Sequence, residues 1–558
     1  AREPQAHVWN EVLDIYRFRK RLRAVQSSDG TVLALRGRVE EREWRSRLFI
    51  PYAFALVETV QPRMTAAMFT SRPIFVVLGR SEEDHQRADA IEALLDYQAE
   101  VSGLQDAWKV VQKAALIFGT GVGKIGWDRI GPSAGRTAYE GPVLRPVYPL
   151  DFFPDPFALT LDQCQCAIHR IFIPSRKLIR VATDPTNEGI YDLQAIQEAA
   201  EGGPPEAPST DLLERSLGAM GWSQPADPDE RLVELLEMWE RDPPRVVVVA
   251  NRVRVIRDTP SPYEHGDLPF VVIRDHVQVD SFWGIGEVEP IIDLQRELNT
   301  QRNQRIDNVS LALAAPMFVN MMAMPGTTDP DALRWQTGKV YPVMGPANQA
   351  VFIPVIPDVT ASVYREEQQT KADMQTVLGI HDAIQGRWPV RRETATAIVR
   401  IMQEANARFA EKIREFADVG LSAVARHYHA LDAQFLPEEQ VVRILGAGAV
   451  RWMRIRPEEI RGAFDFRVAS VAAEPEAARA ERLGRLVQVL PFLVQMQVAD
   501  PYKLARRVLE LAGIPPDTVL IPRAEMQGGT TGGISPLDAL ARVAGMAAAG
   551  GGAAEQAG

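Results

Sequence analysis

Cysteine is nearly absent. Cys164 and Cys166 are the only two in a chain of 558 residues. They stand one residue apart, which makes no disulfide framework, and two ligands alone make no zinc site. A reducing compartment fits, and core packing in a β-like segment is the expected role of both. Histidine is also scarce, at eight. No pair has His-x-x-x-His or HExxH spacing, and His427 and His429, two apart on a predicted helix, point to different faces. No G-x-S-x-G elbow occurs. Long apolar runs are missing too: the most apolar stretch, 309–324, is broken by Pro316 and Asn320 and is too short to span a bilayer. The opening residues Ala1-Arg2-Glu3-Pro4 are polar and carry no signal-peptide core. The expectation is a soluble protein, or one made soluble by assembly.

Positive charge is in deficit. The net charge is −11 and the pI near 5.5, which argues against coating nucleic acid through clustered Lys and Arg. It leaves room for a protein that handles DNA without gripping it. The deficit is local: residues 183–230 hold eleven acidic residues and one basic one, Arg215, so this segment carries −10 of the −11 and the rest of the chain is nearly neutral. Rich in Gly, Pro and Ala, with weak periodicity, it reads as a mobile acidic insert with short helices at 193–200 and 211–220.

What is present is ordinary globular composition, 46% hydrophobic and 24% charged. The length suits about three or four units, or a single elongated architecture. Helices are predicted at the charged N-terminus, from Val39 through Glu58 towards Met68, after Ser81 as N-cap, and over 104–118. A strand is expected at 74–78, and a glycine turn into a short strand at 124–128. Residues 141–179 read as β, and further strands fall at 232–239, 245–249, 252–257 and 270–274. The letters Gly121-Val122-Gly123-Lys124-Ile125-Gly126 match G-x-G-x-x-G. A helix precedes them and a strand follows, the reverse of a dinucleotide fingerprint. Glu287 and Glu289 have no spacing to a base or metal and read as a solvated helix entry. Nothing requires catalysis, and no cofactor is expected.

From Pro290 the period switches. A helix runs to Leu313, and a Pro-punctuated β-like excursion follows. A second helix spans 358–378, a short loop 379–393, and a long helix 394–435 with a kink at Gly420. Two helices flanking an excursion lie side by side and antiparallel. The first is too polar to be buried all round, and suits packing against copies of itself. Strands near 450–456 and 464–471, helices over 475–512 and a Gly- and Ala-rich tail complete the chain.

At W-G-x-G-x-x-x-P over 283–290, LQRELNTQRNQRIDN, APMFV at 315–319, REEQQTKADMQTVLGI and ETATAIVRIMQEANARF, the chain resembles the portal protein family of tailed bacteriophages. Ala397 departs from the Glu common in relatives. The resemblance covers about 90% of the chain, and it rests on the ordered combination of weak motifs. It implies a mixed α+β, portal-like fold. The N-terminal α/β wing would span 1–289, with the acidic insert at 183–230, and the stem helices 290–314 and 358–378. The clip would be 315–357, the tunnel loop 379–393, the long wing helix with returning strands 394–473, the helical crown 474–525 and a flexible tail 526–558.

The resemblance further implies a homo-oligomeric ring of about twelve copies at one capsid vertex of the virion, assembled in the host cytoplasm. Double-stranded DNA would pass through the ring during packaging and ejection. Terminase, head-to-tail adaptors, and capsid and scaffolding proteins would be its partners, and no membrane would be involved. Arg387, Trp388, Arg391 and Arg392 of the tunnel loop are the candidate DNA contacts; pairing of these arginines with carboxylates of a neighbouring subunit is the open alternative. Arg296, Arg302 and Arg305 of the first stem helix form a second, channel-facing set. Another oligomeric phage structural or adaptor protein, without a DNA channel, would lack this order of elements.

Overall fold

The amphipathic stretch at 104–118 sets the centre of the molecule. Trp108, Val111, Ala115 and Phe118 recur at helical spacing, and in the computed structural model all four are buried. Residues 3–17, 46–69, 73–131, 139–202, 230–313, 318–320, 346, 351–355, 357, 360–379, 409–436, 440–446, 449–455, 460 and 462–469 are described. Three helices lie around this centre: α1 (Glu3–Tyr16), α2 (Tyr52–Phe69) and α3 (Glu82–Val101); the central helix is α4 (Leu104–Phe118). Ser81 caps α3 as its sequence predicts, accepting the Asp84 N–H at 3.1 Å.

Around α4 the strands form antiparallel sheets. β1 (Phe75–Gly79) pairs with a distant strand near the end of the described chain. β2 (Thr120–Ile130) starts directly after α4 and is flanked by β3 (Tyr139–Val147) and β9 (Phe270–Arg274). A second sheet has the order β4 (Phe152–Pro154), β5 (Cys166–Pro174), β6 (Leu232–Glu240), β7 (Arg245–Ala250) and β8 (Arg254–Pro260). β10 (Phe318–Val319) pairs with β11 (Val351–Phe352), and β12 (Gln440–Gly446) with β13 (Ala449–Ile455). β14 (Phe464–Val468) closes back on β1, so that Phe75 faces Val468 across some 390 residues. One hydrophobic core runs through these layers, from Trp9 and Trp108 to Phe152, Phe270, Phe416 and Tyr428.

Several expectations shift for physical reasons. The predicted glycine turn is itself strand: Gly121, Gly123 and Gly126 all lie in β2. A Cβ on Gly121 would stand 2.2 Å from the Val111 carbonyl oxygen, so the missing side chain lets α4 lie on the sheet. The β reading of 141–179 ends early, because α5 (Ser175–Ala182) follows β5 and buries Leu178 and Ala182. The acidic segment is not uniformly loose. α6 (Leu193–Gly202) buries Ile196 and Ala199, and the Ala199 carbonyl accepts from Asn251 at 2.8 Å; residues 203–229 lie outside the described residues. Cys164 is buried and Cys166 half-buried. Burial pushes the Cys164 thiol up to about 11.

The two helices expected on either side of the excursion are α7 (Ile292–Leu313) and α8 (Thr360–Leu378). The long helix is described from residue 409. It includes a π-helical turn, Phe416–Leu421, and continues as α9 (Ser422–Phe435). The predicted kink at Gly420 is therefore a π turn, a wider coil that accommodates one extra residue. Gly420 allows a close approach within this turn: a Cβ on it would meet Trp108 at 2.4 Å and Ile273 at 2.5 Å.

In α9, Asp432 is buried and accepts from the Gln98 amide at 2.7 Å. Burial pushes its carboxyl up to about 8, with the Gln98 hydrogen bond opposing. The native state therefore holds a proton that the unfolded chain releases near pH 4. This raised value contributes stability at low pH that is lost as pH rises from about 4 to about 8, at up to ~1.4 kcal/mol per pH unit. Asp432→Asn keeps the bond to Gln98 and cannot ionise. Thermal unfolding at pH 9 should place the variant above the native chain, with the gap closing by pH 5.

Candidate functional site

The α7–α8 pair is held mainly by polar groups. Among the described residues of α7 and α8, only Leu298 and Met374 are apolar side chains with no exposure. At its centre sits Glu367, whose side chain is wholly buried. Arg302 donates to it from two nitrogens, with Nε at 2.9 Å; Arg305 and Lys371 each approach at 3.3 Å. Burial works against the Glu367 charge, yet the Arg302 and Lys371 hydrogen bonds hold its carboxyl below the ordinary value. Three cations thus converge on one carboxylate. Beside them Thr370 donates to Gln301 at 3.3 Å, and Arg305 lies over the Tyr364 ring at 5.4 Å.

A second face of α7 explains its polarity. Gln295, Asn299, Asn303 and Asp307 recur every four residues and line one stripe. Residues 46–53 run along it. The N–H groups of Leu48, Ile50 and Ala53 donate to Asn303, Asn299 and Gln295 at 2.6, 2.8 and 2.9 Å, and Ser46 N–H donates to Asp307. Asn303 and Gln295 donate back to the Leu48 and Ile50 carbonyls at 2.9 and 2.8 Å. Two extended residues advance about 6.6 Å and four helical residues about 6 Å, so the spacings match. The helix predicted from Val39 is therefore interrupted over 46–51, and α2 begins at Tyr52, after Pro51; residues 39–45 lie outside the described residues.

The Trp283–Glu287 segment leads into α7. Gly284 N–H donates to Thr120 at 2.9 Å, Glu287 N–H to the Leu116 carbonyl at 2.8 Å, and Asp275 N–H to the Gly119 carbonyl at 3.0 Å. Glu287, read from sequence as solvated, is buried. It meets the Lys412 ammonium, which also lies 2.8 Å from Asp275 and 3.2 Å from His276. Asp275, His276 and Glu287 are donors of metal-ligating type gathered in one group, and Lys412 supplies the cation at its centre. Burial, then the Glu287 charge, pushes Asp275 up to about 7. Burial also penalises Glu287, but His276 and Lys412 hold it below the ordinary value. The cluster ties the helix that carries Lys412 to the segment that leads into α7.

The sequence-selected arginines of α7 all meet carboxylates of their own chain. Arg296 pairs with Glu11 and, at 3.0 Å, with Asp293, while Arg302 and Arg305 share Glu367. Arg387, Trp388, Arg391 and Arg392 lie outside the described residues, as do most of 315–357 and all of 474–558. At the far end of the helices β10 and β11 pinch together, with Phe318 and Phe352 paired at 6.2 Å and both exposed. Lys412 and Asp275 were not singled out from sequence. Their only signal there is charge inside otherwise apolar segments.

Two polar helices, α7 and α8, pack side by side on a mixed α+β body, and the short β10–β11 pair lies in the chain between them. Among the described residues no helix is long and apolar enough to cross a membrane. Residues 133–531 match the family model of the phage SU10 portal protein. That is well over half of the chain, and the chain belongs to this family of tailed-phage portal proteins.

Proposed function

We propose that this chain forms a ring of about twelve copies at one vertex of the phage capsid. The ring is the conduit through which double-stranded DNA enters during packaging and leaves during ejection. Family membership over residues 133–531 carries the reading. The polar stalk supports it: α7 and α8 bury few apolar side chains against each other, so their outer faces suit neighbours rather than a core. The ends of the stalk at 315–357 serve as the clip that meets head-to-tail adaptors and terminase, and residues 1–289 form the wing. The protein acts as a structural component of the virion, assembled in the host cytoplasm with capsid and scaffolding proteins.

Within the channel, the tunnel loop 379–393 touches the DNA backbone through Arg387, Arg391 and Arg392, with Trp388 beside them. A few cationic points on a balanced wall steer the duplex without holding it, because each tight phosphate contact would resist translocation. The stem arginines, each engaged by a carboxylate of its own chain, leave the loop as the main contact. Replacing Arg387, Arg391 and Arg392 with Ala should leave the ring intact in negative-stain images while packaged DNA falls several-fold. Normal packaging by the triple variant would refute the loop's role. A compact monomer in images of the unaltered protein would refute the ring.

A further inference from the structure

Among the described residues the Glu367 cluster is unbalanced in charge. Three cations, Arg302, Arg305 and Lys371, face a single buried carboxylate and leave an excess of two positive charges. The two flanks of the stalk also differ in charge. At about 100° per residue, the Gln301–Thr370 contact marks one flank of the α7–α8 seam. Glu297, which accepts from Gln301 at 2.8 Å, lies on this flank with Glu366 and Asp373, and all three are exposed. Lys371 lies on the opposite flank, and the 46–53 segment runs along the same side of α7 with Arg47 exposed. Arg302 sits at the seam between the flanks with its side chain 28% exposed. One flank is therefore acidic and the other cationic.

We propose that the stalk packs against a second copy of this chain head-to-tail, the Glu297–Glu366–Asp373 flank of one subunit meeting the Arg302–Lys371–Arg47 flank of the next. The neighbour's carboxylates then complete the cluster around Glu367. Opposite charge on opposite flanks makes the contact heterologous, the kind a closing rotation turns into a ring, and it disfavours a two-fold dimer, which would place like charges together. The inference rests on the proposed ring and adds which faces meet.

The test uses the full-length chain with one set of substitutions on each flank. One variant carries Glu297→Lys, Glu366→Lys and Asp373→Lys, so both flanks are cationic. The other carries Arg47→Glu and Lys371→Glu, so the second flank becomes acidic like the first. Native mass spectrometry at low and high salt reads the assembly. The unaltered chain should form rings, each variant alone should lose them, and a one-to-one mixture should regain rings of alternating subunits. Rings from either variant alone, with unchanged salt tolerance, would overturn the pairing and leave the ring reading standing. Monomers from the unaltered chain would overturn both. Rings from the Arg47→Glu, Lys371→Glu variant that only lose DNA retention would assign this flank to DNA phosphates and refute the subunit contact.

Discussion

Lys412→Met should lower the unfolding free energy by about 3–5 kcal/mol, the cost of removing one partner from a buried ion pair. Lys412 is the cation shared by Asp275 and Glu287, whose side chains are 0% and 4% exposed. Methionine fills the space of the lysine's aliphatic chain but leaves two buried carboxylates without their ammonium, with His276 beside them. Both must then hold protons or pull in water. Asp275 already stands near 7 in the native protein because burial and Glu287 oppose its charge. A raised carboxyl value contributes stability at low pH that is lost as pH rises through it. Loss of Lys412 raises both groups, so the deficit should be largest above pH 7 and shrink towards pH 5. Glu287→Gln added to Lys412→Met removes one stranded charge and should recover part of the loss. Thermal melts of the single and double variants at the two pH values check this. An unchanged melting point for Lys412→Met would mean that the cluster is hydrated and does not anchor the helix.

Gly284→Ala should be the more damaging change of the pair. A Cβ at 284 would stand 2.4 Å from the Gly119 carbonyl oxygen and 2.8 Å from that of His276. Both neighbours are backbone and cannot swing aside as a side-chain tip can. Gly119 ends α4 in the left-handed region, at φ +83°, where a side chain is itself disfavoured. Separating these backbones would break the Gly284–Thr120 and Asp275–Gly119 hydrogen bonds, each worth about 1 kcal/mol net. The expected cost exceeds ~4 kcal/mol and shows as loss of soluble, cooperatively unfolding protein. Gly131→Ala is the control: nothing lies within 4 Å of its added Cβ, so its effect should stay within ~0.5 kcal/mol. Equal stability of the two variants would contradict the close approach.

These two sites show what sequence could and could not convey. The W-G-x-G letters at 283–286 were legible as a landmark, but not their reason, since Gly119 lies some 165 residues away. Local signals carried well. The stripe of α4, the Ser81 cap and the Pro290 entry are each set by residues within a turn or two, and the structure places α4, α3 and α7 there. Signals failed where a distant partner decides. Glu287 reads as solvated because Lys412 is 125 residues on. Residues 46–51 read as helix because the Asn and Gln side chains that take up their N–H groups are about 250 residues on. β12 passed unnoticed, and α5 was hidden in a β-like run because its eight residues are too short to show a period.

The polarity of α7 was legible, but its cause was divided. One stripe serves the 46–53 segment, one the Glu367 seam, and the remainder, which holds the Arg296 pairs, would face neighbours in the proposed ring. A helix with three polar duties cannot display a simple apolar face, so pattern alone could not assign them.

A cryo-electron microscopy map of the purified full-length protein tests the central claim most directly. The account predicts a closed ring with an axial channel wide enough for a DNA duplex. α7 and α8 should stand side by side around the axis, and residues 379–393 should form the narrowest point. A monomer, or a closed assembly with no axial opening, would contradict it.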